Sequence, residues 1–120
     1  MREEMEGRAV AKYVKVSPRK ARQVAELVQG KPVEEALNIL HFSPKKASRP
    51  IEKAIRSAMH NLLQQRAEGG RDVGGLVVEQ VRVDEGPTRK WYIPRAMGRA
   101  TRIRRRSSHI TVVVTEQREV

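Results

Sequence analysis

Between Pro87 and Arg106 the chain carries PTRKWYIPRAMGRATRIRRR, a 20-residue stretch with eight cations and no acid. Its few apolar residues, Trp91, Tyr92, Ile93, Met97 and Ile103, are too scattered to build a core. Such a segment repels itself unless counterions or a polyanion neutralise it. On either side lie valine-rich runs of period two, Leu76 to Val83 and Ile110 to Val114, the pattern of half-buried strands. The stretch therefore reads as the outer half of a β-hairpin whose roots belong to a folded body. At roughly 3.3 Å per residue, the steps from Asp84 to Met97 reach on the order of 40 Å from that body. Seven of the eight cations are arginine, whose planar fork of donors suits phosphate oxygens.

The rest of the chain is patterned as an ordinary α+β unit. Arg8 to Val16 alternates, placing Val10, Val14 and Val16 on one side of a strand and Ala9, Ala11 and Tyr13 on the other. Ser17-Pro18 is a helix start, since the hydroxyl accepts an orphan amide and proline gives up an amide that has no partner there. Ala21, Val24, Ala25 and Val28 follow at helical spacing until Gly30. Pro32 opens a shorter helix with Val33, Ala36, Leu37 and Leu40 inward and Glu34 and Glu35 near its positive end. Ser43-Pro44 repeats the start signal for a third helix with the stripe Ala47, Ile51, Ala54, Ile55, Ala58, Met59, Leu62 and Leu63. On that reading Pro50 lies two turns in and kinks the helix. Gly69, Gly70, Gly74 and Gly75 mark a loop, after which Leu76 and Val78 share one strand face and Val77, Val81 and Val83 the other.

The expected fold class is α+β: three helices packed on a three-stranded antiparallel sheet, with two strands extended as a long basic β-hairpin. With 120 residues the chain makes a single domain, its body at about residues 8–86 and 107–116 and its arm at about 87–106. The acidic leader Met1 to Gly7 receives no role.

Composition removes most chemistry. The absence of cysteine excludes disulfides, thiolate zinc sites and thiol catalysis and fits a reducing, cytoplasmic setting. No apolar run is long enough for a membrane span, so no membrane partner is expected. One Phe, one Trp and two Tyr make no ladder for stacking successive bases, so phosphates and shape should dominate any nucleic-acid contact. His41, His60 and His109 are too dispersed for a metal cluster. Ser107, Ser108 and His109 are neighbours on a strand and point to alternate faces with no orienting acid, so they are not a catalytic triad. Asp84-Glu85 precedes Gly86-Pro87 and shapes a bend or pairs with the arm. The loop around Gly69 lacks the Gly-Lys-Ser/Thr ending of a phosphate-binding loop. No enzyme activity, small-molecule substrate, metal or cofactor is expected.

The net charge of +11 points to a polyanion. Candidate contacts are the arm residues Arg89, Lys90, Arg95, Arg99, Arg102, Arg104, Arg105 and Arg106, joined by Arg19, Lys20 and Arg22 in the first turns of the first helix. There the unpaired amides and the side chains act together on an anion. Two readings remain open on these residues: an RNA-binding architectural protein, and a DNA-bending protein whose arm wedges Ile93, Pro94 or Met97 between bases of the minor groove.

A resemblance separates them. VSPRKARQVAELVQGK near the start, ALNIL and AIRSAMHN in the middle, and VDEGPTRKWYIPRAMGRATRIRRRSSHITVVV at the end resemble the universal family of large-subunit ribosomal protein twenty-two, from about Ala9 to Val114. The last block is the most specific, with Arg95, Ala96, Gly98, Arg99, His109, Ile110 and Val112 at the family's spacing. The resemblance implies a structural rRNA-binding protein in the cytoplasmic ribosome that stabilises converging rRNA segments. Its hairpin would extend to the wall of the nascent-peptide tunnel, and its partners would be large-subunit rRNA, neighbouring ribosomal proteins and the nascent peptide. His109 joins the RNA-binding set on this ground. Trp91, Ile93, Pro94, Arg95, Ala96, Met97, Gly98 and Arg99 become the tunnel tip, where Met97 stands at a position more often basic in the family.

Overall fold

The computed structural model describes residues 3–65, 75–87, 89–94 and 100–118. The element order is β1 (Glu3–Val14), α1 (Pro18–Val28), α2 (Val33–His41), α3 (Ser48–Gln64), β2 (Leu76–Glu85), β3 (Arg89–Pro94), β4 (Ala100–Arg105) and β5 (Ser108–Arg118). Strands β1, β5 and β2 form an antiparallel sheet in that spatial order, and β3 and β4 pair as a separate two-stranded ribbon. The fold is the expected α+β arrangement of three helices and a three-stranded antiparallel sheet. Helix α3 lies over β1 and β5 and α1 over β2. Between them, the helices and the sheet's inner face bury Leu40, Ile51, Ile55, Leu62 and Ile110 completely. The principal extents are 71 × 24 × 22 Å and the radius of gyration is 18.0 Å. A compact chain of this length would have a radius of about 14 Å, so the molecule is drawn out along one axis.

The first helix follows its sequence signals. Ser17 caps it, its hydroxyl accepting the Lys20 amide at 3.3 Å, and Gly30 takes φ +82° two residues past the end. The third does not begin at Ser43. That hydroxyl accepts the Lys45 amide within a loop, and α3 starts only at Ser48. Pro50 is therefore the third residue of the helix, where a missing amide removes no intrahelical bond, and the expected mid-helix kink has no cause. The apolar stripe from Ile51 to Leu62 is buried as expected.

Two strands depart from simple alternation. β1 begins at Glu3, so most of the acidic leader pairs with β5, Glu3 opposite Arg118 and Gly7 opposite Val114. A charged strand at the sheet's edge discourages pairing with other chains. Its inner face carries Gly7, Ala9 and Ala11, and Val10 points outward, so the alanine side of the alternation is the one that meets the helices. The reason is α3. A side chain at Gly7 would collide with the Ala58 carbonyl and Leu62, so only small residues fit beneath the helix. Between Ala11 and Val14 a β-bulge, with Tyr13 at φ 58°, returns Val14 to the inner face. A second bulge between Val78 and Gln80 puts Leu76, Val78, Val81 and Val83 all in the core, although strict alternation divides them between two faces. The outer edge of β2 is covered at one point. Gly30 donates to the Val78 carbonyl at 2.7 Å and Val78 to the Lys31 carbonyl at 2.9 Å. Gly69, Gly70 and Gly74 lie outside the described residues.

Candidate nucleic-acid interface

The ribbon's register determines how its cations are grouped. Arg89 pairs with Arg105, Lys90 with Arg104, Trp91 with Ile103, Tyr92 with Arg102, Ile93 with Thr101 and Pro94 with Ala100. Directly opposed residues of an antiparallel pair share a face. Two cross-strand pairs set cation against cation, an arrangement that destabilises a ladder unless an anion lies between or beside the partners. The segment itself contains no carboxylate. Of the tip, Trp91, Ile93 and Pro94 belong to β3, whereas Arg95, Ala96, Met97, Gly98 and Arg99 lie outside the described residues.

Body and ribbon meet at a short seam. Gly86 donates to the Ser107 carbonyl at 2.9 Å, and the Ser107 hydroxyl donates to the Pro87 carbonyl at 2.8 Å. Ser108, buried, donates to the Val16 carbonyl at 2.6 Å. Both serines thus serve the backbone. Asp84 binds Arg82 at 3.1 Å, and Arg106 is exposed just beyond the seam.

The body residues divide by role. Arg19 and Lys20 are exposed on the first turn of α1. Arg22 instead reaches across to β2, its Nε and Nη2 donating to the Val83 carbonyl at 3.2 and 3.0 Å. That contact ties the helix to the strand end from which the arm departs. His109 supports the β1 bulge. Its Nδ1 accepts the Tyr13 amide at 3.1 Å and its ring meets the tyrosine edge-to-face at 4.9 Å, an arrangement that leaves Nε2 as the donor nitrogen.

The structure adds a second group of cations that the linear pattern does not reveal. Lys15, Lys45, Lys46, Arg49 and Lys53 join Lys20 around adjoining hollows at one end of the body. The Lys45-Lys46 pair is visible in the sequence as a basic doublet, but its neighbours come from segments far apart in the chain. Beside them, Glu52 is a buried carboxylate held by Arg49 and Arg56, each at 3.2 Å, with His41 Nδ1 at 3.6 Å. Burial pushes its pKa up, but the hydrogen bonds and charges of Arg56 and Arg49 outweigh that and hold it below the ordinary glutamate value.

Among the described residues no group of three or more His, Cys, Asp or Glu is placed to hold a metal ion, and no helix is long and apolar enough to cross a membrane. Residues 9–115 match the family described as Ribosomal protein L22p/L17e. The large ribosomal subunit protein uL22 of Maridesulfovibrio salexigens is 60% identical over 112 residues, covering 93% of this chain and 99% of that protein. The protein of the same name from Halothermothrix orenii is 57% identical over 117 residues, covering 96% and 99%. With the three-helix body, the antiparallel sheet and the cationic ribbon in place, and near-complete coverage in both directions, the chain belongs to the L22p/L17e family of ribosomal proteins.

Proposed function

We propose that this structural protein of the large ribosomal subunit binds rRNA chiefly through the β3–β4 arm, which neutralises phosphates where rRNA segments converge. It is structural rather than enzymatic and works in the cytoplasmic ribosome, beside rRNA and other ribosomal proteins. The observation that carries the arm's role is its register. Cations oppose cations at two successive positions with no acid in the segment, so the ribbon is incomplete without an external polyanion. The body sets the direction of the arm through the Gly86–Ser107 seam and the Arg22–Val83 tie. Arg19 and Lys20 extend the binding surface from the first turn of α1. At the far end, Arg95 and Arg99 hold phosphates, leaving Ala96 and Met97 nearest the nascent peptide in the exit tunnel.

The test is a salt titration of binding to large-subunit rRNA. Replacing Arg102, Arg104, Arg105 and Arg106 by Gln should flatten the dependence of log K on log salt by about 0.7 to 0.9 for each phosphate no longer neutralised. An unchanged slope in a folded variant removes the arm from the main binding surface. Preference for duplex DNA over rRNA would favour the DNA-bending alternative. The tunnel role is tested separately: residues added at Ala96-Met97 should change translation of a stalling peptide more than subunit yield, and an effect on yield alone would refute it.

A further inference from the structure

The body holds a feature that the arm does not explain. Phe42 is 80% exposed, the most exposed of the large hydrophobic residues among those described. It caps the C-terminus of α2, its amide donating to the Asn38 carbonyl at 3.2 Å. The position lies one step past the helix, where the inward stripe of Val33, Ala36 and Leu40 no longer carries a side chain into the core. The ring meets His41 edge-to-face at 5.1 Å, and His41 faces the Glu52 carboxylate that Arg49 and Arg56 secure.

Phe42 opens the loop that leads to α3, and the same loop supplies part of the basic end of the body. Val16 and Ala47 are both buried and dock the β1–α1 turn and the α2–α3 loop side by side. The residues just before these anchors are lysines: Lys15 before Val16, and Lys45-Lys46 before Ala47. Docking the anchors therefore brings three exposed ammonium groups to two adjoining hollows, one lined also by Lys20 from α1 and the other by Arg49 from α3. Ser43 and Pro44, which follow Phe42 directly, line the second of these hollows beside Lys15, Lys45 and Lys46. No carboxylate lines these hollows among the described residues.

We propose that this end of the body is a binding site for single-stranded RNA: an unpaired base stacks on Phe42, and the flanking phosphates lie in the adjoining hollows lined by Lys15, Lys20, Lys45 and Lys46. This rests on the reading of the chain as an rRNA-binding protein and adds a site distinct from the arm. One ligand class meets both halves of the feature, because each nucleotide brings an aromatic face and a phosphate one step apart. A protein partner would need acidic side chains opposite every lysine as well as an apolar group for the ring. The two sites also differ in kind. The arm offers arginine forks on a ribbon, whereas the hollow offers lysine point charges beside a stacking surface.

The experiment uses the full chain with two probes, a fluorescein-labelled rU12 single strand and a 12-base-pair RNA duplex. Phe42→Ala should weaken rU12 binding about fivefold, the low end for loss of one stacked base, and leave duplex binding unchanged. Phe42→Trp should restore it. Lys45→Gln with Lys46→Gln should reduce the salt slope for rU12 by about 1.4, two phosphates' worth. Ultraviolet crosslinking to rU12 should place an adduct on the peptide containing Phe42. Equal weakening on both probes would mean that the ring shapes the loop and stacks on nothing, and would overturn the proposal. So would unchanged rU12 affinity with adducts confined to the arm. If the four-arginine variant loses its salt dependence while Phe42→Ala is silent, this inference fails and the arm's role stands; the reverse pattern leaves this site and removes the arm.

Discussion

The body's β2–β5 pair and the ribbon's β3–β4 pair are two kinds of β-structure. In the body, Val78 opposes Val114, Val81 opposes Val112 and Val83 opposes Ile110, beneath three helices. A few residues further out, Arg89 opposes Arg105 and Lys90 opposes Arg104. The antiparallel pairing is the same on both sides of the seam. What changes is what the opposed residues offer: apolar groups to bury in the first region, and cations with no acid in the segment in the second. Strand pairing alone thus says little about whether a segment is stable by itself. The side chains that face each other across the ladder say much more.

Four measurements put that contrast at risk. The largest effect belongs to the body's centre: Ile55→Asp, which places an unpaired carboxylate in a fully buried site, should cost several kcal/mol and abolish cooperative urea unfolding. A folded variant would mean that the helix–sheet interface is not the seat of stability. Ser17→Ala, which leaves the Lys20 amide without its cap, should lower unfolding free energy by about 1 kcal/mol. Glu52→Gln should act mainly through pH. The carboxyl is held below its ordinary value of 4.5, so its stabilisation is complete above that pH and is lost as pH falls toward the depressed value. Acid titration of melting temperature should therefore be flatter for the variant than for the native chain, and parallel curves would contradict the Arg49–Glu52–Arg56 cluster. The smallest change is expected from removing Thr88 to Arg104 and joining the ends with a short turn. The body's melting temperature should barely move, and in the intact free protein amides of β3 and β4 should exchange far faster than those of α3. Equal protection throughout would erase the distinction.

Much of this architecture is legible from residue patterns. Ser17-Pro18, the stripe from Ile51 to Leu62 and the valine runs are local signals, and local physics decides them. Ser43-Pro44 misleads because the same pair that starts a helix also makes a turn, and the choice depends on whether the next residues can reach the core. Ala47 and Ile51 can, so the helix waits for Ser48. The two bulges leave no mark in an alternating pattern, since an inserted residue is visible only when the partner strand is known. Of the candidate interface, the arm's charge is contiguous and plain in the sequence. The hollow of Lys15, Lys20, Lys45 and Lys46 is not, because it is assembled by the docking of two loops. Arg22 also carries a contact that charge counting does not foresee: its guanidinium braces the backbone at Val83.

The bulge at Tyr13 shows where sturdiness has been surrendered for shape. A tyrosine in the left-handed region costs on the order of 1 kcal/mol that glycine would avoid, and no glycine stands there. An engineer seeking a hardier protein would choose Tyr13→Gly, or delete the residue and let Ala11 and Val14 sit on a regular ladder. Either edit would discard the ring that rests against His109 and that stands 65% exposed beside the root of the arm. A search for thermostable variants of this chain should therefore relax Tyr13 readily, and would lose with it the edge-to-face contact on His109.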